Sequence, residues 1–191
     1  GQHYPANGLH SISDVGKPLL VRYDLSRLGK EISRADIEGS SEPGFWRYSP
    51  LLPVAKSRDR VSLGEVITPL VALERSAHLI SATPGNVIVK DESRLPTGSF
   101  KARGLALAVS MAKQLGVEHL AVPTNGNAGS ALAAYASRAG IRATVLCPDN
   151  TPEINTQETE AQGGDTHLVN GLIGDCGKII ADGSDDVGWF A

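Results

Sequence analysis

Apolar residues in this chain alternate between two rhythms from residue 86 onward. Short β-branched or aliphatic runs predict strands at 86–90, 119–123, 142–147 and 165–169. Between them, apolar residues recur at helical spacing. In 100–116 they fall at Leu105, Ala108, Val109, Ala112 and Leu115, and the same reading gives helices at 128–139, 153–163 and 172–182. Strand and helix in strict alternation predict an α/β fold, an open parallel twisted sheet with helices on both faces and right-handed crossovers. Upstream the pattern is looser. Pro18 to Asp24 reads as an edge strand, 26–38 as partly helical, and 42–54 as a segment that buries Phe45, Trp46 and Tyr48. The charged stretch 55–62 reads as a connector. The expected organisation is a leader and connector over 1–62 and an α/β body over 63–191, with no internal repeat.

Composition narrows the class. Hydrophobic residues make up 41% of the 191, enough for a core, and no apolar run has the length of a membrane span. A net charge of −3 leaves no basic stripe for nucleic acid. Cys147 and Cys176 are too few for a disulfide framework and read as free thiols. The five histidines show no metal-ligand spacing, so no metal is expected. Residues 1–17 lack the apolar core of a signal peptide, which makes the cytoplasm the expected location.

Two loops carry candidate chemistry. In Lys90-Asp-Glu-Ser-Arg-Leu-Pro-Thr-Gly-Ser-Phe-Lys-Ala-Arg103, a turn follows the first strand and Ser99 is the expected N-cap, which puts Lys101 in the first turn of a helix. Unpaired N–H groups make that end of a helix partly positive, a poor place for an ammonium and a suitable one for an amine that attacks a carbonyl. A lone lysine near a helix start is most often a solvated surface residue. The second loop, Asn125-Gly-Asn-Ala-Gly129, also leads from a strand into a helix, and Asn127 by itself could be an ordinary helix cap. In a parallel sheet both loops leave carboxyl ends of strands, so both open on the edge where ligands bind.

These two motifs resemble those of the fold-type II enzymes that use pyridoxal 5′-phosphate, the group of threonine synthase, the threonine and serine dehydratases, cysteine synthase and the tryptophan synthase β chain. The resemblance implies that Lys101 takes the cofactor's aldehyde, that Asn127 hydrogen-bonds its 3′-oxygen and that Phe100 packs beside its ring. It points to Thr124, Asn125, Gly126 and Ala128 as receivers of a substrate carboxylate. Dehydratases usually carry histidine where this chain has Ala128, and cysteine synthases differ at Phe100 and Ala102, so within the group the chain is most similar to the threonine synthases. Pro18–Leu25, Phe45–Val54, Leu63–Leu70, Cys147–Asn155 and Leu168–Gly177 extend that likeness over nearly the whole chain, with Val66 a small departure. Paired cysteines, which some members carry in the leader, are missing from Gly8–Gly16.

The implied reaction is that of a lyase of threonine biosynthesis, converting O-phosphohomoserine and water to threonine and phosphate. Lys101 would act as base at Cα, and Lys90, Ser99 and Arg103 are candidates for the substrate phosphate by charge, hydroxyl and proximity in sequence. The resemblance also implies that the loop cradling the cofactor phosphate, and the group facing the pyridine nitrogen, lie beyond Ala191, so the chain is expected to be the N-terminal portion of such an enzyme. Two other readings stand beside it. One is a dehydratase-type reaction using the same Lys101 and Asn127. The other is a non-catalytic fragment whose open sheet edge makes it a homodimer. Gly171–Lys178 superficially resembles a phosphate-binding P-loop but has Leu172 and Ile179 at positions that motif needs otherwise, so nucleotide hydrolysis is set aside.

Overall fold

The computed structural model describes residues 2–191. Two short helices open the fold, α1 (Leu25–Glu31) and α2 (Arg34–Glu38), each capped by its own sequence. Asp24 accepts the Arg27 N–H, and Ser33 and Asp36 cap each other's backbone N–H groups. The predicted edge strand at 18–24 does not form: these residues meet no strand to pair with, and Leu20 and Val21 stay exposed. The next segment winds as a 3-10 helix over Gly44–Leu51. It buries Trp46 and half-buries Phe45, while Tyr48, expected inside, stays exposed. Gly44 (φ +57) is obligatory, because a Cβ there would lie 1.4 Å from the Glu65 carbonyl oxygen. The charged segment 55–62 is tied down on the body. The Val61 N–H donates to Ser110 Oγ at 2.8 Å, the Ala55 N–H to Gln114 Oε1 at 2.7 Å, and Val61 itself joins the core.

A two-stranded ladder follows, β1 (Leu70–Ala72) antiparallel to β2 (Ile88–Lys90), with every residue exposed. This corrects the sequence reading, which placed 86–90 in the parallel sheet. Local pattern identifies a strand, but its partner is chosen by long-range packing, and here Leu70–Ala72 is the partner. After α3 (Lys101–Gln114), the chain alternates β3 (His119–Pro123), α4 (Asn127–Ala139), β4 (Arg142–Pro148), α5 (Glu153–Ala161), β5 (Asp165–Val169) and α6 (Ile173–Asp182), close to the predicted boundaries, before a last turn of helix, α7 (Ser184–Val187). The three strands are parallel in the order β3-β4-β5. Phe190 then returns to the free edge of β3, donating its N–H to the His119 carbonyl and accepting from Ala121 N–H, both at 2.9 Å.

The core has two sides. On one, α3 and α4 pack together over Leu120 and Ala143. Eight consecutive residues of α4, Gly129–Ala136, are buried because it lies between the sheet and two helices. Small residues allow this closeness: Ala102, Ala106, Val109, Ser110 and Ala112 are buried in α3, and of the expected stripe Val109 and Ala112 are buried, Leu105 and Leu115 half-buried, and Ala108 alone exposed. On the other side Cys176 and Ile180 of α6 meet Ala121 and Leu146. Helices thus cover both faces, as the alternation predicted. Cys147 and Cys176 are free and buried.

Candidate active site

Lys101 is the first residue of α3. The expected cap moves by one: Phe100 already has helical angles and takes the N-cap place, while Ser99 Oγ accepts the Lys101 N–H at 3.3 Å. The lysine is half-buried. Its Nζ lies 4.9 Å from the centre of the Phe100 ring and has no carboxylate or carbonyl partner among the described residues. Phe100 is 59% exposed, leaving a flat apolar wall open beside the amine. The turn leading in, Pro96–Gly98, holds Thr97 at φ 61, a conformation a β-branched residue adopts only when its surroundings impose it, at a cost of about 1–3 kcal/mol. The Thr97 hydroxyl is buried without a hydrogen-bond partner among the described residues.

The second loop is built around Thr124. Its buried hydroxyl accepts the Gly126 N–H at 3.1 Å and stands 3.2 Å from the Gly126 carbonyl oxygen. Gly126 is the N-cap of α4, so Asn127 is its first helical residue. The Asn127 and Ala128 N–H groups in that first turn have no intrahelical acceptor. Gly129 must be glycine. A Cβ there would stand 2.8 Å from Thr124 Cγ2 and 2.9 Å from Val145 Cγ1, so the helix start can seat this closely on the sheet only without one.

Topology puts both loops at one edge. α3 ends just before β3 begins and α4 starts just after β3 ends, so both helices run antiparallel to β3 and present their N-termini at its carboxyl end. The Pro96–Gly98 turn packs against α4. β4 lies on one side of β3 and Phe190 on the other, which makes the end of β3 the point where strand order reverses, the usual ligand crevice of such sheets. Sequence reading missed this switch point, because a single bridged residue near the end of the chain carries no periodic signal.

Two of the remaining candidates, Lys90 and Arg103, gather around one carboxylate. Glu92 takes Arg103 in a two-pronged pair, Nε to Oε2 at 2.6 Å and Nη2 to Oε1 at 3.0 Å, and also accepts the Thr68 hydroxyl at 2.6 Å. Lys90 Nζ stands 3.9 Å from the same carboxylate and donates to the Thr68 carbonyl at 3.4 Å. Arg103, through its hydrogen bonds and then its charge, holds Glu92 down to about 2 against the cost of burial. Glu65 also acts on Arg103 through its charge, so Arg103 is well compensated, whereas the Lys90 ammonium is half-exposed. Neither partner of Arg103 was legible in the sequence, since Glu92 is 11 and Thr68 is 35 residues away along the chain. Behind α4, buried Glu65 accepts from Tyr135 Oη at 2.5 Å, Ser62 Oγ at 2.6 Å and the Leu63 N–H at 2.9 Å. Burial first, and then the bond to Glu65, push the Tyr135 phenol well up. Among the described residues no cluster of three or more His, Cys, Asp or Glu could hold a metal, and no helix is long and apolar enough to cross a membrane.

Comparison with known proteins shows the family to which this fold belongs. A family model described as "Pyridoxal-phosphate dependent enzyme" matches residues 61–191. The threonine synthase of Methanocaldococcus jannaschii is 34% identical over 149 residues, 78% of this chain and 36% of that protein. The threonine synthase of Synechocystis is 43% identical over 102 residues, 53% of this chain and 26% of that one. The chain thus spans about a third of the length of the curated relatives it matches. Among solved structures, O-ureido-L-serine synthase superposes with a TM-score of 0.57 at 31% identity, over 64% of this chain and 40% of that one. Diaminopropionate ammonia lyase from Escherichia coli gives 0.61 at 22% identity, over 69% and 39%, a likeness of fold alone.

Proposed function

The chain belongs to the pyridoxal-phosphate dependent enzymes, and we propose on that premise that Lys101 carries the cofactor and that the protein of which this chain is part is a threonine synthase. The observation that carries the reading is the Lys101 amine, free of any anionic partner among the described residues, at the same sheet edge as the Asn125–Gly129 loop. An amine beside an open aromatic wall, with N–H groups that lack an intrahelical acceptor at the same sheet edge, fits a planar aldehyde cofactor on this side. Asn127 would hydrogen-bond the cofactor ring, and Phe100 would pack along it.

When bound, the cofactor supplies a conjugated cationic ring that takes up the electron pair left on a substrate carbon as a proton leaves. Lys101, at the start of α3, would accept the proton from Cα and return it later. Thr124, Asn125, Gly126 and Ala128 receive the substrate carboxylate at the positive end of α4. The Ser99 hydroxyl, the half-exposed Lys90 ammonium and Arg103 are the groups that would favour a phosphorylated substrate, O-phosphohomoserine, over an uncharged side chain.

Borohydride trapping after addition of pyridoxal phosphate, followed by peptide mapping, tests the first half of this reading. The expected label is on Lys101 and is lost in Lys101→Ala; label spread over surface lysines overturns it. Phosphate release from O-phosphohomoserine, against 2-oxobutyrate formation from threonine, separates the synthase from a dehydratase.

A further inference from the structure

Three Asn–Gly pairs occur in the chain, Asn7–Gly8, Asn125–Gly126 and Asn170–Gly171, together with one Asp–Gly pair, Asp182–Gly183. Such pairs can react with themselves. The backbone nitrogen that follows the side chain attacks its carbonyl carbon, and glycine, with no Cβ, leaves that approach open. Exposure does not separate the asparagine pairs, since each asparagine is exposed and each glycine half-buried. Hydrogen bonding does. The Gly8 N–H donates to the Pro5 carbonyl at 3.2 Å, the Gly126 N–H to Thr124 Oγ1 at 3.1 Å and the Gly183 N–H to the Ile179 carbonyl at 2.9 Å. The Gly171 N–H has no acceptor among the described residues.

We infer that Asn170–Gly171 is the site at which the folded chain modifies itself, by deamidation through a cyclic imide that turns Asn170 into aspartate and isoaspartate. The nucleophile is the Gly171 nitrogen once its proton has passed to hydroxide. It bonds to Asn170 Cγ, the Cγ–Nδ2 bond breaks, and the nitrogen leaves as ammonia with a proton from water. Water then opens the five-membered ring at either carbonyl, so no reactant other than water is consumed. An N–H held in an intramolecular bond gives up its proton only when that bond opens, as in hydrogen exchange. One such bond slows the step by roughly two- to tenfold, which protects Asn7 and Asn125 and leaves Asn170 unprotected. Asn170 lies between β5 and α6, where the positive end of α6 favours the anions formed on the way. The neighbouring Asp175 carboxylate opposes them, but it is engaged by the Leu172 N–H at 2.9 Å and by Lys178 at 3.4 Å. Because β3, β4 and β5 are parallel, the end of β5 shares an edge with the Asn125–Gly129 loop, so the product places a new carboxylate on the ligand side of the sheet.

The test is incubation of the folded chain at mildly alkaline pH, with peptide mapping by mass spectrometry for the amide-to-acid change and enzymatic methylation to count isoaspartate. The expected result is product at Asn170 accumulating about fivefold faster than at Asn7 or Asn125. In concentrated urea, where no N–H is held, the three rates should converge. Asn170→Gln, which would have to close a larger ring, should remove the product at that place and leave the other two rates unchanged. The substitution is at an exposed residue, so it keeps the fold. Asn7 or Asn125 reacting as fast as Asn170 in the folded chain overturns the inference. So does the absence of product at Asn170 over the time in which the urea-unfolded chain reacts. Neither result bears on the labelling of Lys101.

Discussion

Gly129 shows how a single atom sets the site. Two contacts under 3 Å await a Cβ there, one from the loop and one from the sheet. Gly129→Ala should therefore lower the unfolding free energy by about 1–3 kcal/mol in urea titration, by overpacking, and displace the Asn127 loop enough to weaken cofactor capture. Glu92 is the other residue that organises more than itself. Its carboxyl is held at about 2, against an ordinary value of 4.5 in the unfolded chain. A depressed carboxylate contributes stability that is full above the unfolded value and is lost as pH falls toward the folded one. Unfolding midpoints should fall between about pH 4.5 and 2, and Glu92→Gln should flatten that part of the acid limb. Near neutral pH the same variant leaves Arg103 without its carboxylate and lowers stability.

At the scale of elements, the edge of β3 is closed by Phe190, and Trp189 stacks edge-on against the ring of buried His119 at 5.8 Å. His119 Nε2 is 2.9 Å from Thr144 Oγ1, and its other ring nitrogen is buried without a partner among the described residues. Burial, and then the charge of Arg142, hold the ring below its ordinary value of 6.5, with Asp165 opposing. A neutral buried histidine stabilises fully above pH 6.5, and that contribution is lost as pH falls through the lower folded value. Acidification from pH 7 should therefore loosen the 189–190 segment first, seen as earlier exposure of Trp189 by fluorescence. His119→Gln, which can keep the bond to Thr144, should remove that pH dependence.

Across the whole molecule the β1–β2 ladder stands out. Leu70, Val71, Ile88 and Val89 are exposed, close to exposed Ile67, in strands of only three residues. A ladder this short is marginal in water by itself, and such an apolar surface favours association. Gel filtration of this chain should show concentration-dependent self-association, and Ile88→Lys should shift it toward monomer. A strict monomer at high concentration would rule out association through the ladder.

The sequence by itself determined what is local. Each strand and helix between 100 and 182 was legible within a few residues, since periodicity is a property of neighbours along the chain, whereas the last turn of helix at Ser184–Val187 was not. Lys101 in a first turn and a glycine-rich start to α4 were legible for the same reason. Tertiary structure decided what depends on partners distant in sequence. Ile88–Lys90 pairs with Leu70–Ala72 outside the parallel sheet, Pro18–Asp24 finds no partner, and Arg103 is bound by Glu92 and Thr68. Above all, Phe190 closes β3 and so creates the reversal of strand order at the Asn127 loop. Pairing and switch points are set by which surfaces meet once the chain is compact, and no short window of sequence contains both halves of such a contact.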